Sequence, residues 1–123
     1  MRRYLLIISS LIFAQSCVAQ NDLDNVVIDN KVLSKCLTIK KNKIENYGNA
    51  IFLDAALDIK DNIGVCGCKS ALLKYDVTLL DSGVSITHGL VSTLNKHQYK
   101  FVINTDNSIY KNKKFRLAVN CTY

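Results

Sequence analysis

The sequence predicts an all-β fold: a single antiparallel β-sandwich or small barrel of about six strands, disulfide-stapled. Three observations predict it. Apolar and polar residues alternate along several runs, most clearly over residues 50–60, and a period of two is typical of half-buried strands. Turn signals such as Gly48-Asn49 and Asp81-Ser82-Gly83 separate these runs. The chain has no proline and no convincing helical stripe, so we expect short links between successive strands.

The first 19 residues show the order of charged, apolar and small residues that is typical of a secretory signal peptide. Arg2 and Arg3 precede an apolar run over residues 5–13, and small residues lead to a cleavage site after Ala19. The apolar run is far shorter than the roughly 20 residues that a membrane-spanning helix needs. We therefore expect export to the periplasm, with no membrane span in the mature protein.

Cys17 offers a second processing route. The residues Ala14-Gln15-Ser16-Cys17 resemble a lipobox, although Ala14 stands where that motif usually has leucine. Lipidation of Cys17 would give the protein a lipid anchor and make it an outer-membrane lipoprotein. In both routes Cys17 is either cleaved off or lipidated, so it cannot form a disulfide bond in the folded domain. They leave four of the five cysteines, an even number in an exported chain.

The charge of the predicted mature chain is mild. Without Arg2 and Arg3 it has 14 lysines and arginines against 10 acidic residues, a net charge of +4, and the lysines are scattered among the acids. Scattered charge is typical of a solvated surface and argues against nucleic-acid binding. The chain that remains is long enough for one domain, whose modest core would gain from disulfide support.

The domain is predicted to cover residues 32–123, after a polar linker or flexible arm at residues 20–31. Its first strand contains Cys36 and leads into a lysine-rich connection at residues 40–48. The later strands are separated by turns, and Ile109-Tyr110 is expected to pack over one end of the sandwich. The predicted strands cover residues 33–39, 50–60, 70–80, 84–92, 99–103 and 114–121.

The strand count predicts where the four cysteines meet. If each strand reverses the direction of the one before, the start of the first strand, the link between the second and third, and the end of the sixth lie at the same end of the sandwich. Cys36, the pair Cys66 and Cys68, and Cys121 occupy these three places. We therefore expect all four thiols close together.

Two disulfide bonds are the expected use of these thiols. A bond between Cys66 and Cys68 would close a strained ring, so one of them should pair with Cys36 and the other with Cys121, in an order that the sequence leaves open. A C-x-C spacing matches structural zinc sites poorly and lacks the C-x-x-C spacing of redox sites. His88 and His97 are interpreted as surface residues. We expect no metal and no cofactor, and no catalytic residue is named because no catalytic motif is present.

Three stretches resemble one small family of bacterial exported proteins: Cys36-Leu37-Thr38-Ile39, Cys66-Gly67-Cys68-Lys69-Ser70-Ala71-Leu72 with Tyr75 behind it, and Leu117-Ala118-Val119-Asn120-Cys121. That family resembles immunity proteins of type VI secretion effectors, which themselves resemble L,D-transpeptidases and attack peptidoglycan. The resemblance implies a periplasmic protein that binds and blocks a cognate secreted effector, and that is not an enzyme. The alternatives are a periplasmic lysozyme-type inhibitor and an envelope structural or assembly protein that docks by strand addition.

Contact with a protein partner is expected from exposed loop residues and tyrosines, because tyrosine is enriched in interfaces. Tyr99 is a further anchor candidate. The predicted partner-binding residues are Lys43, Tyr47, Lys69, Ser70 and Tyr110.

Overall fold

A computed structural model describes residues 22–94 and 97–122, in which two β-sheets face each other. The predicted signal peptide and Cys17 lie outside these residues. The all-β sandwich is confirmed, and the alternative of a closed barrel is not, because the described strands form two separate sheets of four and three strands. The strands are β1 (Val26–Asp29), β2 (Leu37–Tyr47), β3 (Ala50–Ile59), β4 (Leu72–Leu79), β5 (Ser85–Ser92), β6 (Gln98–Asn104) and β7 (Phe115–Cys121).

The four-stranded sheet has the order β1-β7-β4-β5, and the three-stranded sheet has the order β2-β3-β6. All pairs are antiparallel except β1 with β7, which is parallel. Three short 3₁₀ turns (Asp22–Asn25, Lys31–Leu33 and Ile63–Cys66) and one short helix, α1 (Asn107–Tyr110), complete the described part. None of its helices is long and apolar enough to cross a membrane.

The core lies between the two sheets and follows from the alternation in the sequence. On β3, Leu53, Ala55 and Leu57 point inward and are buried, while the residues between them face the solvated side. The opposite sheet contributes Leu73 and Leu117, both fully buried. Each strand therefore presents one apolar face to the other sheet, which is why period two predicted this architecture.

The predicted connection at residues 40–48 is instead the second half of an 11-residue strand, β2. The register against β3 shifts between Lys41 and Lys43, so Asn42 is the extra residue of a bulge and the alternation changes phase there. The chain then turns through Gly48 and Asn49, and Gly48 has the positive φ, 60°, that two-residue hairpin turns require. The bulge interrupts the apolar–polar alternation, and β2 is a solvated edge strand, so the sequence shows no clear strand pattern over residues 40–48.

The predicted arm at residues 20–31 contains β1, a seventh strand that was not expected. Val26 is only 2% exposed, so the segment is packed into the fold and does not dock loosely. The Lys41 ammonium donates hydrogen bonds to the carbonyl oxygens of Leu23 (2.8 Å) and Val26 (2.7 Å). This lysine therefore connects β2 of one sheet to the start of β1 on the other.

The four cysteines lie at one end of the sandwich, and the Gly48 turn and α1 lie at the other. Leu37 pairs with Ile59, and Leu73 pairs with Cys121, so Cys36, Cys66, Cys68 and Cys121 meet at what we call the cysteine end, as strand parity predicted. The Gly48 turn and α1 lie at the opposite, or far, end. There Tyr110 packs edge-on against Phe115, as expected for a residue that covers the end of the sandwich. Ile109, which was expected to pack there too, is instead 64% exposed.

Side chains close the seam where β5 of one sheet approaches β6 of the other. The Val102 backbone N–H donates to the Tyr75 hydroxyl (3.4 Å), and the Thr87 hydroxyl donates to the Val102 carbonyl (2.8 Å). The Tyr99 hydroxyl donates to the Leu90 carbonyl (2.9 Å). These bonds occupy backbone groups that an added strand would need.

Candidate partner-binding face

The outer face of the three-stranded sheet carries an ordered group of aromatic and charged side chains, which we call the outer-face cluster: Lys43, Glu45, Tyr47, Phe52 and Lys100. The cluster follows from strand register. Glu45 pairs with Phe52 in one row, and Lys43, Asp54 and Lys100 pair in the next, so two neighbouring rows bring side chains of all three strands together. Tyr47 is 58% exposed, and its ring meets the Phe52 ring edge-on, with 5.4 Å between centroids.

Glu45 holds the charged part of the cluster together. One carboxylate oxygen lies 3.0 Å from the Lys43 ammonium, and the other lies 2.9 Å from the Lys100 ammonium. The Tyr47 hydroxyl donates to that second oxygen at 3.1 Å. Hydrogen bonds from Lys100 and then Lys43 lower the pKa of Glu45 from 4.5 to about 2, so the carboxylate is ionised near neutral pH.

Lys100 orients the tyrosine. Its ammonium donates to the Tyr47 hydroxyl at 3.4 Å and lies 5.7 Å from the centre of the Tyr47 ring. The hydrogen bond to Glu45 raises the pKa of Lys100. Exposed ion pairs contribute little to stability, so the value of this network lies in fixing the direction of an exposed aromatic ring.

The structure separates the five predicted contact residues into three places. Lys43 and Tyr47 lie together in the outer-face cluster. Lys69 is exposed at the cysteine end, where the neighbouring Ser70 hydroxyl accepts a hydrogen bond from the Leu72 backbone N–H at 3.1 Å. Tyr110 lies at the far end against Phe115. Tyr99, the further anchor candidate, is half-buried in the seam with Tyr75 and Phe101.

Sequence reasoning missed Glu45, Phe52 and Lys100. The sequence predicts a connection over residues 40–48, whereas Lys43, Glu45 and Tyr47 alternate on one face of β2. Lys100 sits two strands away from Glu45 in the sheet and 55 positions away in the chain. Only the strand order β2-β3-β6 brings these two residues together.

At the cysteine end, Cys36 bonds to Cys66 and Cys68 bonds to Cys121. Gly67 separates the two bonds and adopts a left-handed conformation, with φ 93°. Its backbone N–H donates to the Gly64 carbonyl at 3.1 Å, which closes the 3₁₀ turn Ile63–Cys66. This turn allows neighbouring cysteines to reach partners on different sheets, since Cys36 precedes β2 and Cys121 ends β7.

Replacing Gly67 by alanine is expected to lower the free energy of unfolding by about 1 kcal/mol, because an L-residue in the left-handed region costs about that much. The site has open space: a Cβ there would meet no atom within 4 Å, so the cost is conformational. Urea denaturation followed by circular dichroism measures it. Gly67→Asn is the matched control and should lose less, because asparagine tolerates this conformation. Equal losses would contradict the explanation.

The described residues include no group of three or more histidine, cysteine, aspartate or glutamate side chains that could hold a metal ion. The expectation of two disulfides agrees with the observed bonds, and the pairing that the sequence left open is now assigned. Disulfide bonds fit an exported protein, because exported compartments are oxidising.

Two facing sheets, two disulfides at one end and a short chain define the class: a small disulfide-bonded β-sandwich. The chain belongs to the family DUF2195, described as an uncharacterized protein conserved in bacteria, whose model matches residues 6–123. No curated protein and no solved structure matches the chain.

Proposed function

We propose that this protein is a periplasmic immunity protein that binds and blocks a secreted, peptidoglycan-targeting type VI effector. It acts by covering the effector and uses neither a catalytic residue nor a cofactor of its own. The class of effector is what the resemblance in the cysteine motifs implies, and the mode of action is inferred from the surface. The observation that carries the proposal is the outer-face cluster around Tyr47.

The cluster has the composition of a protein-binding hot spot. Tyrosine at the centre of an interface supplies a large contact area and loses little conformational entropy on binding. Here Tyr47 is exposed, yet Phe52, Glu45 and Lys100 already fix its ring, so binding need not order it. Lys43 and Lys100 form a polar rim with exposed ammonium groups.

The charges of the cluster and of the neighbouring Asp54 balance, which supports recognition by shape and hydrogen bonds. Lys43 and Lys100 face Glu45 within the cluster, and Asp54 pairs in register with both lysines. Two positive and two negative groups therefore balance. A partner of complementary pattern would place its own groups opposite each charge, which favours one partner over others more than it raises affinity.

The strand edges support surface docking over strand addition, the mode expected of the envelope-assembly alternative. Tyr75 and Thr87 bond the backbone of Val102 on β6. The other edge strand of this sheet, β2, carries the Asn42 bulge and three lysines at positions 40, 41 and 43. Bulges and lysines are devices by which edge strands avoid pairing with other chains.

Tyr47→Ala is expected to weaken binding to the cognate effector by about 2 kcal/mol or more, which is about 30-fold in Kd, because it removes the central anchor. Tyr47→Phe keeps the ring and should lose less than about fivefold. The matched control is Leu90→Ala, which removes another exposed apolar side chain, 56% exposed, from the opposite sheet and should bind as wild type. Calorimetry with a purified secreted toxin encoded by a neighbouring gene, identified by testing the neighbouring gene products for binding, measures these affinities.

Periplasmic co-expression of toxin and protein provides the functional readout. Wild type and Leu90→Ala should rescue growth, and Tyr47→Ala should not. If Tyr47→Ala and Leu90→Ala bind equally well, the face is assigned wrongly. If the wild-type protein neither binds nor neutralises a neighbouring secreted toxin, the immunity function is wrong, and inhibition of lysozyme by the pure protein would then favour the inhibitor alternative.

A further inference from the structure

The far end of the sandwich contains a cleft of about 200 Å³ whose accessible lining is mostly polar. Most apolar residues of the lining, among them Val26, Ile51 and Phe115, are buried beneath it, and Asn104 is fully buried and out of a ligand's reach. The residues that a molecule from solvent can contact are half-buried or exposed. Asparagine is the commonest type among them: Asn25, Asn46, Asn107 and Asn112, together with Tyr110.

The position of Asn46 in its strand does not explain why it is an asparagine. It pairs with the core residue Ile51 across the β2–β3 ladder, so it lies on the inward face of β2. Two residues earlier, Ile44 occupies the same face with an apolar side chain. Alternation predicts another apolar residue at position 46, and strands are poor in asparagine. The far end is therefore open and polar where an apolar side chain would have closed it.

Other asparagines of the chain hold the backbone in place. Asn30 donates to the Leu37 carbonyl at 2.9 Å, and the Asn62 side chain accepts from the Gly64 N–H at 2.8 Å. The carboxamides of the four asparagines at the cleft make no such bond to the described residues. Asn112 has a local reason for its identity, since asparagine tolerates a φ of 61°. The cleft thus presents several accessible carboxamides to solvent.

The charged residues of the lining are both lysines. Lys111 and Lys113 are exposed, and no aspartate or glutamate belongs to the lining. The Lys113 ammonium lies 3.9 Å from the Asp81 carboxylate, whereas Lys111 forms no ion pair within the described part of the chain. Asp106 stands beside the cleft, and its carboxylate already accepts the Ser108 N–H at 3.1 Å. The lining therefore favours a ligand with a negative group.

We propose that this cleft binds a single sugar unit that carries a carboxylate. Each sugar hydroxyl both donates and accepts a hydrogen bond, and so does each asparagine carboxamide, so the two sets of groups complement each other. Tyr110 supplies an aromatic body for the C–H groups of the sugar and a hydroxyl for a further hydrogen bond. Lys111 pairs with the carboxylate, which is ionised near neutral pH.

Other classes of ligand match this lining less well. The lysines repel a cation, and the carboxamides give an apolar ligand nothing in return for their lost water. An inorganic anion would use the lysines but would leave most carboxamide oxygens without a donor. Clefts for drug-sized molecules have volumes of about 300–1,000 Å³, so this one is small enough to select a single ring.

This site is separate from the outer-face cluster, and the proposal does not rest on the immunity function. Asn46, which lines the cleft, and Tyr47, which belongs to the cluster, are consecutive residues of β2 that point to opposite sides of the strand. A protein bound over Tyr47 and a sugar bound at the far end therefore contact different faces.

Titration of the ¹⁵N-labelled protein by nuclear magnetic resonance tests the proposal with glucuronic acid and glucose, which differ only in the carboxylate. With glucuronic acid, the side-chain NH₂ signals of Asn46 and Asn107 should shift and saturate with a Kd of about 1–10 mM, as expected for a ligand of about a dozen heavy atoms. Glucose should bind about fivefold more weakly, because it lacks the ion pair with Lys111. Acetate, which has the carboxylate alone, should give no saturable shifts at these concentrations.

Lys111→Gln should weaken glucuronic acid binding about fivefold and leave glucose binding unchanged, because it removes only the positive charge. The matched control is Lys114→Gln, which removes the charge of an exposed lysine at the same end but outside the lining, and which should bind as wild type.

Asn46→Leu tests the carboxamides. Leucine suits an inward strand position, so the protein should stay folded while binding of both sugars falls at least tenfold. Asn120→Leu changes an asparagine of β7 outside the lining and should leave binding unchanged. Binding that survives Asn46→Leu intact would contradict the proposal.

N-acetylmuramic acid, the acidic sugar of peptidoglycan, distinguishes the source of the ligand. Tighter binding of this sugar than of glucuronic acid supports a cell-wall glycan, and the reverse supports a glycan that contains uronic acids. Two further results would overturn the proposal: equal binding of glucose and glucuronic acid to the wild-type protein, or the absence of saturable shifts with both acidic sugars.

Discussion

Replacing Cys68 and Cys121 together by alanine is expected to lower the free energy of unfolding by about 4 kcal/mol. The bond between them closes a loop of 53 residues, and its loss lets the unfolded chain explore conformations that the cross-link forbids. Small domains have total stabilities of about 5–15 kcal/mol, so this variant should be marginal. Chemical denaturation followed by circular dichroism measures the loss, since the chain has no tryptophan for fluorescence.

The matched control is the double variant Cys36→Ala, Cys66→Ala. Its loop spans 30 residues, so in the chain-entropy account its loss should be smaller by only about 0.5 kcal/mol. Alanine is preferred to serine in both variants, because Cys36 and Cys68 are buried and a serine hydroxyl there would need a hydrogen-bond partner. A loss below about 1 kcal/mol in either double variant would contradict a stabilising role for that bond.

Gly89→Ala is expected to cost about 3 kcal/mol, an unusually large effect for a single added methyl group. A Cβ at this position of β5 would lie 2.6 Å from Cε1 of Tyr75 and 2.7 Å from its hydroxyl oxygen. The tyrosine cannot move away easily. It is 4% exposed, its ring meets the Phe101 ring edge-on at 5.0 Å, and its hydroxyl accepts the Val102 N–H across the seam.

Tyr75→Leu provides the test of this explanation, because it removes the ring that the new methyl group meets. Gly89→Ala should cost little when it is made in the Tyr75→Leu background, so the two changes should show a coupling of about 2 kcal/mol in a double-mutant cycle. Additive losses from the two changes would show that the clash is not the cause.

Gly89 also explains why the seam can close. Tyr75 and Gly89 are direct partners across the β4–β5 ladder, so the missing side chain of one leaves room for the ring of the other. The ring then reaches past β5 to the edge of the second sheet. A larger residue at position 89 would therefore weaken both the packing of one sheet and its connection to the other.

Much of the fold could be predicted because central strands have two unlike faces. On β3 and β7 the inward positions are apolar and the outward ones are mostly small or polar, so period two is visible in the sequence itself. Strand parity then placed four cysteines at one end without any knowledge of packing. The edges were less predictable: β1 was interpreted as part of an arm and the second half of β2 as a connection.

The candidate partner-binding face and the buried Asn104 could be predicted from the sequence only in part. Tyr47 and Lys43 were predicted as contact residues, but Phe52 and Lys100 join them only through the order of strands in the sheet. Asn104 follows a predicted strand and looks like the start of a turn, so nothing local marks it as buried. The register shift that turns it inward depends on how β6 pairs with β3.

The sequence by itself determined the class of fold, the end at which the cysteines meet and the expectation of two disulfides, because alternation, turn residues and chain direction are local properties. Only the tertiary structure decided which cysteines pair, which side chains surround Tyr47 and that Asn104 is buried with no hydrogen-bond partner among the described residues. These depend on sheet order, on bulges and on the approach of the two sheets, which join residues far apart in the chain.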